Sequence, residues 1–148
     1  MHPYNVNGLL LPPLLIDLLR NSLWRHPGDA TLERLIPFLR DPVDFLQTVE
    51  GMRFESPKRL ADDAEWARMY HFLQSSGGAS DLPWLDVDRA VFIAVNRFPG
   101  DDSGIVLDYR TDAADPRVVA SDWDDGPGGC RWRQVTPTFS TFVALLEA

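Results

Sequence analysis

The sequence predicts an α+β domain with a largely antiparallel central sheet flanked by N-terminal helices and a C-terminal helix, and three observations predict it. Through much of the first half, apolar residues recur every three or four positions, the period of one helix face. From Ala90 the pattern changes to a short apolar run and then to alternation, as in strands. Short, turn-rich connections between those strand segments favour hairpins and hence antiparallel pairing, and helices set before and after such a sheet define the α+β class. The 148 residues match the ~100–150 that a single core typically serves. With no internal repeat and no low-complexity tract, residues 1–148 are expected to form one domain.

Pro12 and Pro13 suit the first turn of a helix, where the missing N–H costs nothing. Leu14, Leu15, Leu18 and Leu19 follow at helical spacing, and His26-Pro27-Gly28 breaks the helix. Leu32, Leu35, Ile36 and Leu39 form a second stripe, which Pro37 should end or kink. Asp41-Pro42 reads as an N-cap with proline at the first helical position. It would open a short helix carrying Val43, Phe45, Leu46 and Val49 and stopping near Gly51. Leu60 to about Gln74 is compatible with another helix carrying Ala64, Ala67, His71 and Leu73, terminated by Ser75-Ser76-Gly77-Gly78 ahead of a loop to Pro83.

Ala90 to Val95 has the length and β-branched content of a strand. Pro99 to Gly104 is turn chemistry. Ile105, Leu107 and Tyr109 then alternate with Val106, Asp108 and Arg110, as in a half-buried strand. A turn from Asp112 to Pro116 precedes a third strand, Arg117 to Ser121. A polar, glycine-rich loop from Asp124 to Gly129 precedes a fourth, Arg131 to Val135. Thr136-Pro137 repeats the cap-then-proline signal before a closing helix with Phe139, Phe142, Val143 and Leu146 on one face.

A chain of this length buries roughly 68–70% of its unfolded surface, so it needs neither a metal nor disulfides to fold. Its 22 acidic residues outnumber 14 basic ones, for a net charge of -8. Nucleic-acid binding rests on Lys and Arg neutralising phosphates, so no nucleic-acid partner is expected, and an anionic membrane would repel the chain as well. A basic protein would be attracted, and complementary charge speeds association and helps to select partners. Plain solubility is the other reason for such a charge. Cys130 is the only cysteine, which excludes an intramolecular disulfide and suits a reducing compartment. The apolar run Leu9 to Ile16 has no basic segment before it, is interrupted by Pro12 and Pro13, and is closed by Asp17, so it does not read as a signal peptide. No apolar stretch approaches the ~20 residues of a membrane span. The expected location is cytoplasmic.

Catalytic patterns are weak. His2, His26 and His71 are the only histidines. His26 stands at a helix end, where a cation complements the helix dipole, and His71 lies among Met69, Tyr70, Phe72 and Leu73. Cys130 has no close histidine, although Arg131 and Arg133 could depress its pKa. In Gly100-Asp101-Asp102-Ser103-Gly104 the serine sits one place too late for a nucleophile elbow, and no glycine cluster matches a dinucleotide or phosphate loop. No catalytic residue, metal ligand or cofactor is assigned.

The carboxylates carry the remaining signal. Asp101, Asp102, Asp108, Asp112, Asp115, Asp122, Asp124 and Asp125 crowd into the sheet half. Turn aspartates usually bond to nearby backbone. Their spacing follows no calcium loop and lacks the closing Glu, although a metal-dependent hydrolase built on them stands as one alternative. The other is an acidic docking patch made by Asp101, Asp102, Asp108, Asp122, Asp124 and Asp125. Trp123, between Asp122 and Asp124, has the setting of an interface anchor for a basic partner, or of core packing at a strand end. Trp132 reads as core.

Several segments, taken in order, resemble the SUKH superfamily, the Smi/Knr-type proteins. They are Pro99-Gly100-Asp101-Asp102, Ile105-Val106-Leu107-Asp108-Tyr109, Val118-Val119-Ala120-Ser121-Asp122-Trp123 and Trp132-Arg133-Gln134-Val135-Thr136-Pro137-Thr138-Phe139-Ser140-Thr141-Phe142. The likeness covers roughly Ala90 to Leu146, with a weaker echo at Asp41-Pro42-Val43-Asp44-Phe45-Leu46. The acidic turn departs from the many members that carry several glycines, since Asp101, Asp102 and Ser103 separate Gly100 from Gly104. The resemblance implies an α+β fold, no catalytic residues, and a protein-binding role. That role is either an immunity protein that occludes a toxin, with nuclease toxins attractive because their substrate sites are basic, or a regulatory scaffold without a toxin.

Overall fold

The computed structural model describes residues 2–61, 72–73, 82–99, 101, 103–124 and 129–147. Its first element is a hairpin of β1 (Asn5–Val6) and β2 (Leu9–Leu10). The turn is Asn7-Gly8, with φ of 54° and 76°, the dipeptide that tight hairpin turns favour because both central residues take positive φ. Helices α1 (Pro13–Arg20) and α2 (Asp29–Leu35) follow. Pro13 occupies the first turn of α1, and α2 ends two residues before Pro37, both as the sequence predicts.

Next come β3 (Val43–Phe45) and α3 (Val49–Ala61), then the short β4 (Phe72–Leu73), which pairs in parallel with β5 (Leu85–Asp86). Four longer segments complete the main sheet: β6 (Ala90–Asn96), β7 (Gly104–Asp108), β8 (Arg117–Asp124) and β9 (Gly129–Thr136). Spatial order is β3-β6-β7-β8-β9, antiparallel throughout. The closing helix is α4 (Phe139–Leu146). Helices before and after a largely antiparallel sheet make the α+β architecture that the periodicity predicts.

Both faces of the sheet are buried. One face packs Val91, Ile93, Ile105, Leu107, Val118 and Ala120 against Leu15 of α1, Leu32 of α2, Met52 of α3 and Phe139 and Phe142 of α4. The other joins Phe92, Val106, Val119, Cys130 and Trp132 to Leu85. The central strand β7 is therefore buried along its whole length, not half-buried. Val106, assigned to solvent by the alternation, serves the second core. At the start of β7, a Cβ on Gly104 would lie 2.8 Å from the Phe92 ring, so close packing of that core requires glycine there.

Three expectations need correction. Asp41-Pro42 opens no helix: Val43 and Phe45 point inward while Asp44 is exposed, the period of two that marks a strand. The helix begins at Val49 instead, where the Thr48 hydroxyl accepts the Gly51 N–H at 2.9 Å, so Gly51 lies in its first turn. In the span Leu60 to Gln74, Leu60 ends α3 with Ala61, and Phe72–Leu73 is a strand. Ala64, Ala67 and His71 lie outside the described residues, as do Ser75 to Gly78. Finally, the cap of α4 is Thr138, whose Oγ1 accepts the Thr141 N–H at 3.2 Å; the Thr136 hydroxyl donates to the Thr138 carbonyl.

Candidate functional site

Strand register brings two acid-rich segments to one end of the main sheet. Val95 of β6 is opposite Gly104 of β7, and the Gly104 N–H donates to the Ser121 hydroxyl of β8 at 3.0 Å. Beyond that point β8 continues as Asp122, Trp123 and Asp124 against Arg131, Cys130 and Gly129 of β9. The β6–β7 connection, which carries Asp101, and the outer part of the β8–β9 hairpin thus share an end. So does the start of β3, since Val43 is opposite Asn96, and Asp41 comes with it.

An arginine ties this end together. The Arg97 guanidinium donates to both Asp29 oxygens at 2.9 Å and to Asp44 Oδ1 at 2.8 Å. His26 Nε2 stands 3.4 Å from Asp29, and its ring meets Phe45 at 5.2 Å between centroids. The hydrogen bond from Arg97 holds the Asp29 carboxyl below the ordinary aspartate range. Ser103, almost fully buried, donates from Oγ to Asp41 Oδ2 at 3.1 Å. Arg133 reaches Asp122 at 3.0 Å and covers the Phe38 ring at 4.4 Å. A recess of about 160 Å³ opens beside the cluster, with Asp29, Glu33, Arg40 and Asp41 around Leu32 and Leu39. That volume falls short of the roughly 300–1,000 Å³ of small-molecule pockets.

The acidic residues named from sequence divide accordingly. Asp101 and Asp122 are half-buried at this end. Trp123 is half-buried beside them and packs on the second core, so its ring serves the core at least in part. Asp124 belongs to β8, not to the loop that the composition suggested, and its side chain lies outside the description. Asp102 and Asp125 lie outside the described residues. Asp108 is at the opposite end of β7 and fully buried, where Arg110 and Arg117 reach its Oδ2 at 2.9 and 2.8 Å. It is not part of an exposed patch. Asp115 is also at that far end, accepting from the Ser140 amide and hydroxyl at the start of α4.

Nothing in the sequence pattern points to the cluster of Asp29, Asp44 and Arg97. The one local signal nearby was a charged and an aromatic residue, Arg97-Phe98, placed between an apolar strand and the turn-forming Pro99-Gly100. Among the described residues, no group of three or more His, Cys, Asp or Glu could hold a metal ion. The serine of the acidic turn bonds to Asp41 and not to a histidine, and Cys130 is buried.

Comparison with protein-family models, with curated proteins and with solved structures returns no match for this chain. Among the described residues, no helix is long and apolar enough to cross a membrane.

Proposed function

We propose that this chain is a non-catalytic protein-binding domain of the SUKH kind, acting as an immunity protein that covers the basic active site of a cognate toxin. The observation that carries the reading is the convergence of the β6–β7 connection and the β8–β9 hairpin on one end of the sheet. That arrangement brings Asp29, Asp41, Asp44, Asp101 and Asp122 to one end of the sheet, and Asp102, Asp124 and Asp125 belong to the same two chain segments in the sequence. Arg97 and Arg133 are engaged by carboxylates at this end of the sheet. A carboxylate-rich face of this kind favours a Lys- and Arg-bearing surface by charge and speeds its encounter. The net charge of -8 adds attraction at long range and disfavours nucleic acid. The single, buried thiol suits a cytoplasmic location.

Isolation of the tagged chain from its source cells, at about 50 mM and about 500 mM salt, tests the proposal, with stoichiometry read by light scattering. The expected result is one basic protein bound one to one and released at the higher salt, where surface charges are screened. A partner without toxin activity would favour a regulatory scaffold. The absence of any stoichiometric partner at either salt would overturn the proposal.

A further inference from the structure

Phe98 is 54% exposed, although it follows closely on a strand whose residues 90–95 are all buried. The backbone that carries it is pinned on both sides. Its carbonyl accepts the Asn96 side-chain amide at 2.8 Å and the Asp101 N–H at 3.2 Å. The preceding residue, Arg97, is held through its guanidinium by Asp29 and Asp44 and through its N–H by the Pro42 carbonyl at 3.1 Å. An exposed aromatic ring on a hydrogen-bonded backbone loses little conformational freedom on binding, and aromatic residues are enriched in the cores of interfaces.

The charges of the segments next to Phe98 set the chemistry of what this part of the molecule meets. The Asp29 and Asp44 side chains, 48% and 58% exposed, share the single charge of Arg97, and Asp101 stands at the end of the same turn. One negative charge of the trio is thus left over, beside that of Asp101. We infer that Phe98 is the anchor of the docking face, inserting into an apolar recess on the partner that is rimmed by Lys or Arg side chains. This rests on the protein-binding reading above and assigns the central contact to Phe98 in place of Trp123, whose ring packs on the second core.

The test uses full-length chain carrying the photo-crosslinking residue benzoylphenylalanine at position 98 or, as control, at position 54, where Phe54 of α3 is 64% exposed. Irradiation in the source cells should yield one adduct with a basic protein from position 98 and none with that protein from position 54. With the partner so identified, Phe98→Ala should weaken binding about thirtyfold, the scale of an interface hot spot, and Phe54→Ala less than about twofold. Both variants should keep the wild-type melting temperature, since each ring is largely exposed. A partner that co-purifies with the tagged chain, is not cross-linked from position 98, and binds Phe98→Ala as tightly as wild type would overturn this inference while leaving the protein-binding reading standing. If no partner co-purifies at all, both fall.

Discussion

Asp108 ends β7 with no exposed surface, its Oδ2 within 3 Å of two guanidiniums that are themselves nearly buried. Burial alone would raise the pKa of this carboxyl. The hydrogen bond and charge of Arg110, joined by the charge of Arg117, outweigh burial and hold it below the ordinary aspartate range. A carboxyl depressed in this way contributes stability that is present above the unfolded-state value of about 3.9 and is lost as the pH falls through the folded-state value. The unfolding free energy should therefore decline between about pH 5 and about pH 2, and Asp108→Asn should flatten that decline. At neutral pH the same substitution removes the negative charge from between two buried guanidiniums, at an expected cost of about 3–5 kcal/mol in urea unfolding. A loss below about 1 kcal/mol would show that the arginines find other partners at little cost. Sequence alone gave Asp108 the wrong role because alternation along Ile105 to Arg110 places it away from the core but says nothing of a second core on the far face.

At the scale of elements, the edge of β6 is shared between a strand and a helix. β3 is only three residues long and pairs with Ala94 to Asn96, so the Phe92 N–H lies beyond its reach. The Ser56 hydroxyl of α3 accepts that N–H at 3.0 Å inside the protein. Ser56→Ala should leave a buried amide unsatisfied and cost about 1–3 kcal/mol. The accompanying sign is accelerated hydrogen exchange at Phe92, and unchanged exchange there would contradict the assignment. The short β3 also explains why the second quarter of the chain departs from its local sequence signal. Asp41-Pro42 carries a helix-start signal, yet Val43 and Phe45 are buried by the sheet edge, and tertiary burial overrides local propensity. Helices α1, α2 and α4 were legible from their helical period, and strands β6 to β9 from short apolar runs bounded by turn residues. The first hairpin carries a strong turn signal in Asn7-Gly8, but Leu9 and Leu10 also open a longer apolar run that masks it.

For the molecule as a whole, the consequential feature is which ends of the strands meet. The sequence crowds eight aspartates into the stretch from Asp101 to Asp125, but only the register separates Asp101 and Asp122, at one end, from Asp108 and Asp115 at the other. Asp29, Asp44 and Arg97 come from three separate segments, and nothing short of the fold joins them. Charge reversal at the two ends gives the most direct test, with the co-isolated partner and calorimetry at about 50 mM salt. Asp101→Lys and Asp88→Lys alter net charge equally, but Asp88 is exposed beside the start of β6, at the far end of the sheet from Asp101. Asp101→Lys should weaken binding at least about tenfold, a loss of about 1.4 kcal/mol, with Asp88→Lys within about twofold of wild type. Equal weakening by both substitutions, or a larger effect at Asp88, would contradict a docking face at the Asp101 end.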